Sequence, residues 1–134
     1  MTVVTTSRNP PPEVRSLARD LAFAIGGKYI TRGKAGMRDI LSLDRLVVIV
    51  SGSGPLFRIL VFSDAEPAAS ITIRSFAVKE RTGEITHGLF TSDHSAYEAL
   101  KGHIDTVFAG EALPEHRIVF DGTQRKRYTL EVAS

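Results

Sequence analysis

Apolar and polar positions along the 134 residues alternate with two periods, one near two and one near 3.6, and the two divide the chain into elements. Residues 2–6, Thr-Val-Val-Thr-Thr, are β-branched throughout and predict a first strand. From residue 12 or 13 onward, Val14, Leu17, Ala18, Leu21, Ala22 and Ile25 recur at helical spacing and leave Arg15, Ser16, Arg19 and Asp20 on the other side. Ser7 and Asn9 offer capping oxygens for this helix, and Pro10, Pro11 and Pro12 pre-set φ without needing amide hydrogens. Glu13 falls in the first turn, and Gly26 and Gly27 end the helix.

Further along, residues 28–31 predict a short strand and Arg32-Gly33-Lys34 a loop, with Met37, Ile40 and Leu41 on one side of a short helix ending before Asp44. Residues 46–50 are apolar at every position, as in a strand covered on both faces. A turn at 51–55 joins them to a strand at 56–62, a loop is expected at 64–68 and a further strand at 70–78. A weak strand falls within 84–90. A second helix follows Thr91-Ser92, with Ser95 and Glu98 at capping-box spacing, Tyr97, Leu100, Ile104, Val107 and Phe108 on one side, and Gly110 as its stop. Strands at 117–120 and 127–132 flank a turn at 121–124.

The two helices align at a constant offset of 83 residues: Val14, Leu17, Leu21 and Ile25 fall on Tyr97, Leu100, Ile104 and Phe108. Each follows a Thr-Ser pair, Thr6-Ser7 or Thr91-Ser92, and ends at glycine. The expected fold is a single α/β domain of two pseudo-repeated strand-helix-strand halves, about 1–68 and 69–134.

Composition narrows the chemistry. No cysteine is present, which excludes disulfides and thiolate chemistry. No apolar run approaches the roughly 18 residues of a membrane span, and no export signal opens the chain, so the expected location is the cytoplasm. The four histidines are scattered, none at i, i+4 from another, so neither a metal nor a cofactor is expected. Ser51-Gly52-Ser53-Gly54 lacks the Gly-Lys-Ser/Thr ending of a phosphate-binding loop.

Charge is distributed unevenly. Up to Arg45 eight basic residues face four acidic ones, from 46 to 123 six face ten, and the tail carries Arg125, Lys126 and Arg127 against Glu131. A one-signed patch attracts polyanions in a way that the net charge of +2 conceals. Arg8, Ser7 and the first helix amides form a candidate phosphate seat, with Arg32 and Lys34 on either side of Gly33 close by. The plainer alternative pairs Arg8 and Arg32 with Asp20, Asp39 or Asp44. Arg58 and Arg74 lie on strands, either as part of an open RNA-binding sheet face or as partners of carboxylates such as Asp64 or Glu80.

Thr5-Thr6-Ser7-Arg8, Pro10, the basic helix with Arg15, Leu17 and Leu21, and Arg32-Gly33-Lys34 together resemble the opening signature of the Brix-domain family. Residues 46–50 and Thr86-His87-Gly88-Leu89-Phe90 extend the likeness in the same order. The resemblance implies a non-catalytic, RNA-binding role in ribosome biogenesis, and a fold whose halves are each similar to the anticodon-binding domain of class II aminoacyl-tRNA synthetases. In size the chain looks like the short archaeal members. The Gly-Pro-Arg-Phe element of the eukaryotic closing strands is missing, and Gln124-Arg125-Lys126-Arg127 stands in that place.

Expected RNA-binding residues are Ser7, Arg8, Arg15, Arg32, Gly33, Lys34 and Arg38, with Arg125, Lys126 and Arg127 as a second contact. The expected partner is ribosomal RNA or its precursor, beside ribosomal or processing proteins, with no membrane and the chain a monomer. Two alternatives stay open: a protein-interaction module whose acidic middle docks on a basic protein, and a tRNA-binding accessory domain.

Overall fold

The computed structural model describes residues 2–53 and 56–133, with Ser53 described through its backbone. Among them nine strands form one sheet: β1 (Val3–Thr6), β2 (Lys28–Tyr29), β3 (Leu46–Ser53), β4 (Leu56–Ser63), β5 (Glu66–Glu80), β6 (Leu89–Thr91), β7 (Thr106–Phe108), β8 (Arg117–Asp121) and β9 (Lys126–Val132). Three helices accompany them, α1 (Pro12–Ile25), α2 (Met37–Leu41) and α3 (His94–Leu100). The strand order is β2-β1-β3-β4-β5-β9-β8-β6-β7.

Side-chain alternation sorts the apolar residues into two layers. Val4, Val48, Val50, Ile59 and Val61 point to the face that α1 and α3 cover, in one core with Leu17, Leu21, Leu100, Ile118 and Leu130. Val3, Val47 and Ile49 point the other way, where Ile40 of α2 closes a smaller cluster with Leu60 and Phe62 beside it. The wholly apolar 46–50 run is therefore a strand buried on both sides, as expected. Because α1 touches both β1 and β8, near opposite ends of the strand order, the sheet must curl around it.

Each half contains a strand-helix-strand unit whose strands run parallel: β1 beside β2 around α1, and β6 beside β7 around α3. The likeness ends at the next strand, since β1 lies parallel to β3 while β6 lies antiparallel to β8. Between the halves stands the 15-residue β5, which pairs with β4 over its first part and with β9 over its second.

Several elements depart from expectation. The loop expected at 64–68 is a two-residue turn, Asp64-Ala65, both at positive φ (51° and 66°), and β5 begins directly after it. Paired left-handed residues suit the twist of a tight hairpin. Of the turn expected at 51–55, Ser51 to Ser53 continue β3, and residues 54 and 55 lie outside the described residues. The 28–31 strand is confined to Lys28–Tyr29, and the 84–90 strand to Leu89–Thr91.

The second helix is half the expected length. It stops at Leu100, with Gly102 just beyond, and Thr106–Phe108 turns into an edge strand. Thr106, Val107 and Phe108 favour extended backbone, and pairing with β6 satisfies it. Its cap is Asp93, whose Oδ1 accepts from the Ala96 amide at 2.8 Å, and not the Ser95–Glu98 pair. The first helix ends as expected, with Gly26 left-handed and the Gly27 amide returning to the Ala22 carbonyl at 2.8 Å.

Candidate nucleic-acid interface

Two chain segments meet at the end of β1 and build the site between them. Residues 6–10 lead into α1, and residues 31–36 lead from β2 into α2. Arg32 joins them: it is 9% exposed, and its Nη1 donates to the Thr6 carbonyl at 3.0 Å while its Nε donates to the Ala35 carbonyl at 2.8 Å. Arg8 adds a second tie, its Nη2 donating to the Lys34 carbonyl at 3.1 Å. Gly33 takes φ +55°, and a Cβ there would meet nothing within 4 Å, so glycine serves the backbone turn and not a close approach.

These ties shape a recess of about 520 Å³, with Arg15, Tyr29, Thr31, Arg32 and Lys34 in its walls and Asn9 and Pro10 at its edge. Across α1 a second hollow of about 200 Å³ brings Arg19 and Ser16 beside Gln124 and Lys126. Arg15 and Arg19, one helical turn apart, form the ridge between the two. Above Tyr29 the Arg19 guanidinium carbon lies 5.6 Å from the ring centre. Among the described residues, none of Arg8, Arg15, Arg19, Arg32, Lys34 or Arg38 forms an ion pair with a carboxylate.

The start of α1 is a poorer anion seat than its position suggested. Pro10, Pro11 and Pro12 have no amide hydrogen, the Val14 and Arg15 amides both donate to the Pro11 carbonyl, and no side chain caps the helix. Ser7 contributes its amide to the Val50 carbonyl and stands outside the recess. Cationic side chains, and not helix amides, make this surface positive.

The structure does not gather all the expected residues. Arg38 is exposed on α2, away from the recess walls. Arg125 is exposed at the β8–β9 turn with φ 59°. Arg127 is on the sheet face away from α1 and is held by Asp121, Nε to Oδ1 at 2.7 Å and Nη2 to Oδ2 at 3.3 Å. Burial alone would raise the Asp121 pKa, but Arg127 and the Thr86 amide outweigh it and hold the carboxyl below its usual range. Arg74 approaches Glu131 at 3.7 Å, whereas Arg58 has no ion pair among the described residues.

Arg19 and Tyr29 complete the site but carried no motif in the sequence. Arg19 was legible as the i+4 neighbour of Arg15; Tyr29 was hidden in a two-residue strand. Asp20 is a further correction. It is 2% exposed, not on the solvent side, and its carboxylate accepts from the Thr123 amide at 3.0 Å, the Thr123 hydroxyl at 2.6 Å and the Tyr128 hydroxyl. That contact docks the β8–β9 turn on α1 and sets Lys126 beside Arg19.

Among the described residues no three His, Asp or Glu side chains are grouped to hold a metal ion. No helix among the described residues is long and apolar enough to cross a membrane.

Compared with models of known protein families, the chain matches none. Over 83 residues it is 36% identical to a probable Brix domain-containing ribosomal biogenesis protein of Aeropyrum pernix, covering 57% of this chain. The match spans 46% of that relative's length, or about half. The fold is similar to the crystal structure of Mil, an archaeal Imp4-like protein, with a TM-score of 0.64 at 20% identity, covering 100% of this chain and 97% of that one. The chain is thus similar in part of its sequence to a probable Brix domain-containing protein and in its whole fold to an Imp4-like protein.

Proposed function

We propose that this chain is a non-catalytic RNA-binding factor in ribosome biogenesis, acting in the cytoplasm on ribosomal RNA or its precursor beside ribosomal or processing proteins. One observation carries the reading: Arg15, Arg32 and Lys34 share one recess, with Arg8 and Arg19 alongside, and none of the five forms an ion pair with a carboxylate among the described residues. The name of the Aeropyrum relative supports the cellular role. Guanidinium and ammonium groups of this kind hold phosphates and position RNA without reading its sequence. Lys126, docked beside Arg19, extends the track, whereas Arg38, Arg125 and Arg127 stand apart from it.

The test is fluorescence anisotropy of ribosomal RNA fragments across a salt series. Four phosphate contacts, from Arg8, Arg15, Arg19 and Lys34, predict a slope of log affinity on log salt of about −3. The pair Arg15→Glu and Lys34→Glu should roughly halve that slope and weaken binding at least about tenfold. A salt-independent signal, or an unchanged slope in a folded double variant, overturns the reading. The anticodon-domain likeness that the family resemblance implies supplies the competitor: tRNA that displaces ribosomal RNA at equal concentration would move the function to tRNA binding.

A further inference from the structure

We infer that the recess beside α1 takes one unstacked nucleotide of single-stranded RNA, so that the site selects single strands over duplex. The inference rests on the RNA-binding reading and adds the form of the RNA.

Shape is the first argument. At about 520 Å³ the recess falls within the roughly 300–1,000 Å³ of sites that enclose a small molecule. A duplex presents a convex rod of phosphates and keeps its bases stacked inside, so it would touch the rim and leave the recess unused. A single strand can turn one base inward, and protein side chains read RNA mostly through such splayed bases, stacked on aromatic rings or arginine planes.

The walls are the second argument. Tyr29 is half-buried in the recess wall, and the Arg19 guanidinium stands over its ring. The Tyr29 ring offers flat surface to a base, and stacking of that kind tolerates any base. Arg15 and Lys34, which also line the recess, can take the phosphates before and after the inserted nucleotide.

The unused donors of Arg32 are the third. Arg32 is buried and fixed by the carbonyls of Thr6 and Ala35, which use one hydrogen from each of two nitrogens. A guanidinium carries five donor hydrogens, so three stay available from a group that needs no reorganisation on binding. Held in the recess, those hydrogens can be donated to the acceptor edge of a base that enters.

The experiment uses the full chain and a twelve-nucleotide RNA carrying one 2-aminopurine, alone and annealed to its complement, at one salt concentration. The single strand is expected to bind about tenfold more tightly than the duplex, with a change of 2-aminopurine fluorescence that reports unstacking from its neighbours. Tyr29→Leu should lose most of that preference, while Tyr29→Phe keeps it. Equal binding of the two forms overturns the inference alone, as does undiminished preference in a folded Tyr29→Leu. Failure of both forms to bind overturns the RNA reading as well. Should Tyr29→Leu not fold, the wild-type preference and the 2-aminopurine signal decide.

Discussion

Asp20 shows how one side chain can fix the relation of two distant parts of the chain. Its carboxylate meets three donors from Thr123 and Tyr128, more than 100 residues away in sequence. Burial first, and then the bond to Asp20, push the Tyr128 phenol well above its ordinary pKa of 10.0. Asp20→Ala leaves buried donors unpaired and is expected to cost about 3 kcal/mol. For a domain of this size that lowers the melting temperature by about 10 °C, measurable by circular dichroism. Nothing in the helical period announced this role: a polar residue flanking an apolar stripe reads as solvent-facing until its partner is known, and the partner lies at the far end of the sequence. Arg32 carries a comparable hidden role: while it lines the recess, its guanidinium is bonded to two backbone carbonyls that no side-chain pattern encodes.

At the scale of elements, the contact between α1 and the β8–β9 turn depends on Gly122 as well. A Cβ added there would lie 2.6 Å from the Asp20 Cβ and 2.9 Å from the Tyr128 ring. Gly122→Ala is therefore expected to push the turn off the helix and destabilise the chain by about 1–3 kcal/mol, read in a denaturant titration. It should also weaken RNA binding modestly by moving Lys126 from Arg19. Elements whose pattern is local were legible: the α1 stripe with its Gly-Gly stop, the doubly buried β3, and the hairpin strands. The second helix was not, because Tyr97, Leu100 and Ile104 keep helical spacing across Gly102 while the following residues find a parallel partner in β6. Helical period is a property of the sequence; competition from a neighbouring strand is a property of the assembled sheet. The recess was legible in part, through Arg15, Arg32 and Lys34, but only the fold brings Tyr29 into it with them.

At the scale of the whole molecule, two of its buried carboxylates, Asp93 and Asp121, make stability depend on acid. For Asp93, burial would raise the pKa, but the His116 ring and the Ala96 amide outweigh it, leaving it below 3.8, and Asp121 is lowered likewise by Arg127 and Thr86. Both depressed groups contribute stability that is fully present above their unfolded value and lost as pH falls through the folded one. Unfolding free energy should thus hold down to about pH 4 and drop below it as the unfolded chain takes up protons. Asp121→Asn should be about 2 kcal/mol less stable near pH 7 and show a shallower decline below pH 4, read from denaturant midpoints across pH. Tyr128 acts at the other limit: its raised pKa contributes stability below pH 10, lost as pH climbs beyond.

The place of β9 in the strand order has a consequence for synthesis. Residues 126–132 slot between β5 and β8, in the interior. A ribosome must therefore deliver nearly all 134 residues before the two parts of the sheet can be joined. Until then β5 and β8 each expose a bare row of amides and carbonyls, the kind of edge that recruits neighbouring chains. A stalled or clipped product that loses this segment would present two such edges at once, so aggregation, and not simple loss of binding, is the expected fate of incomplete chains.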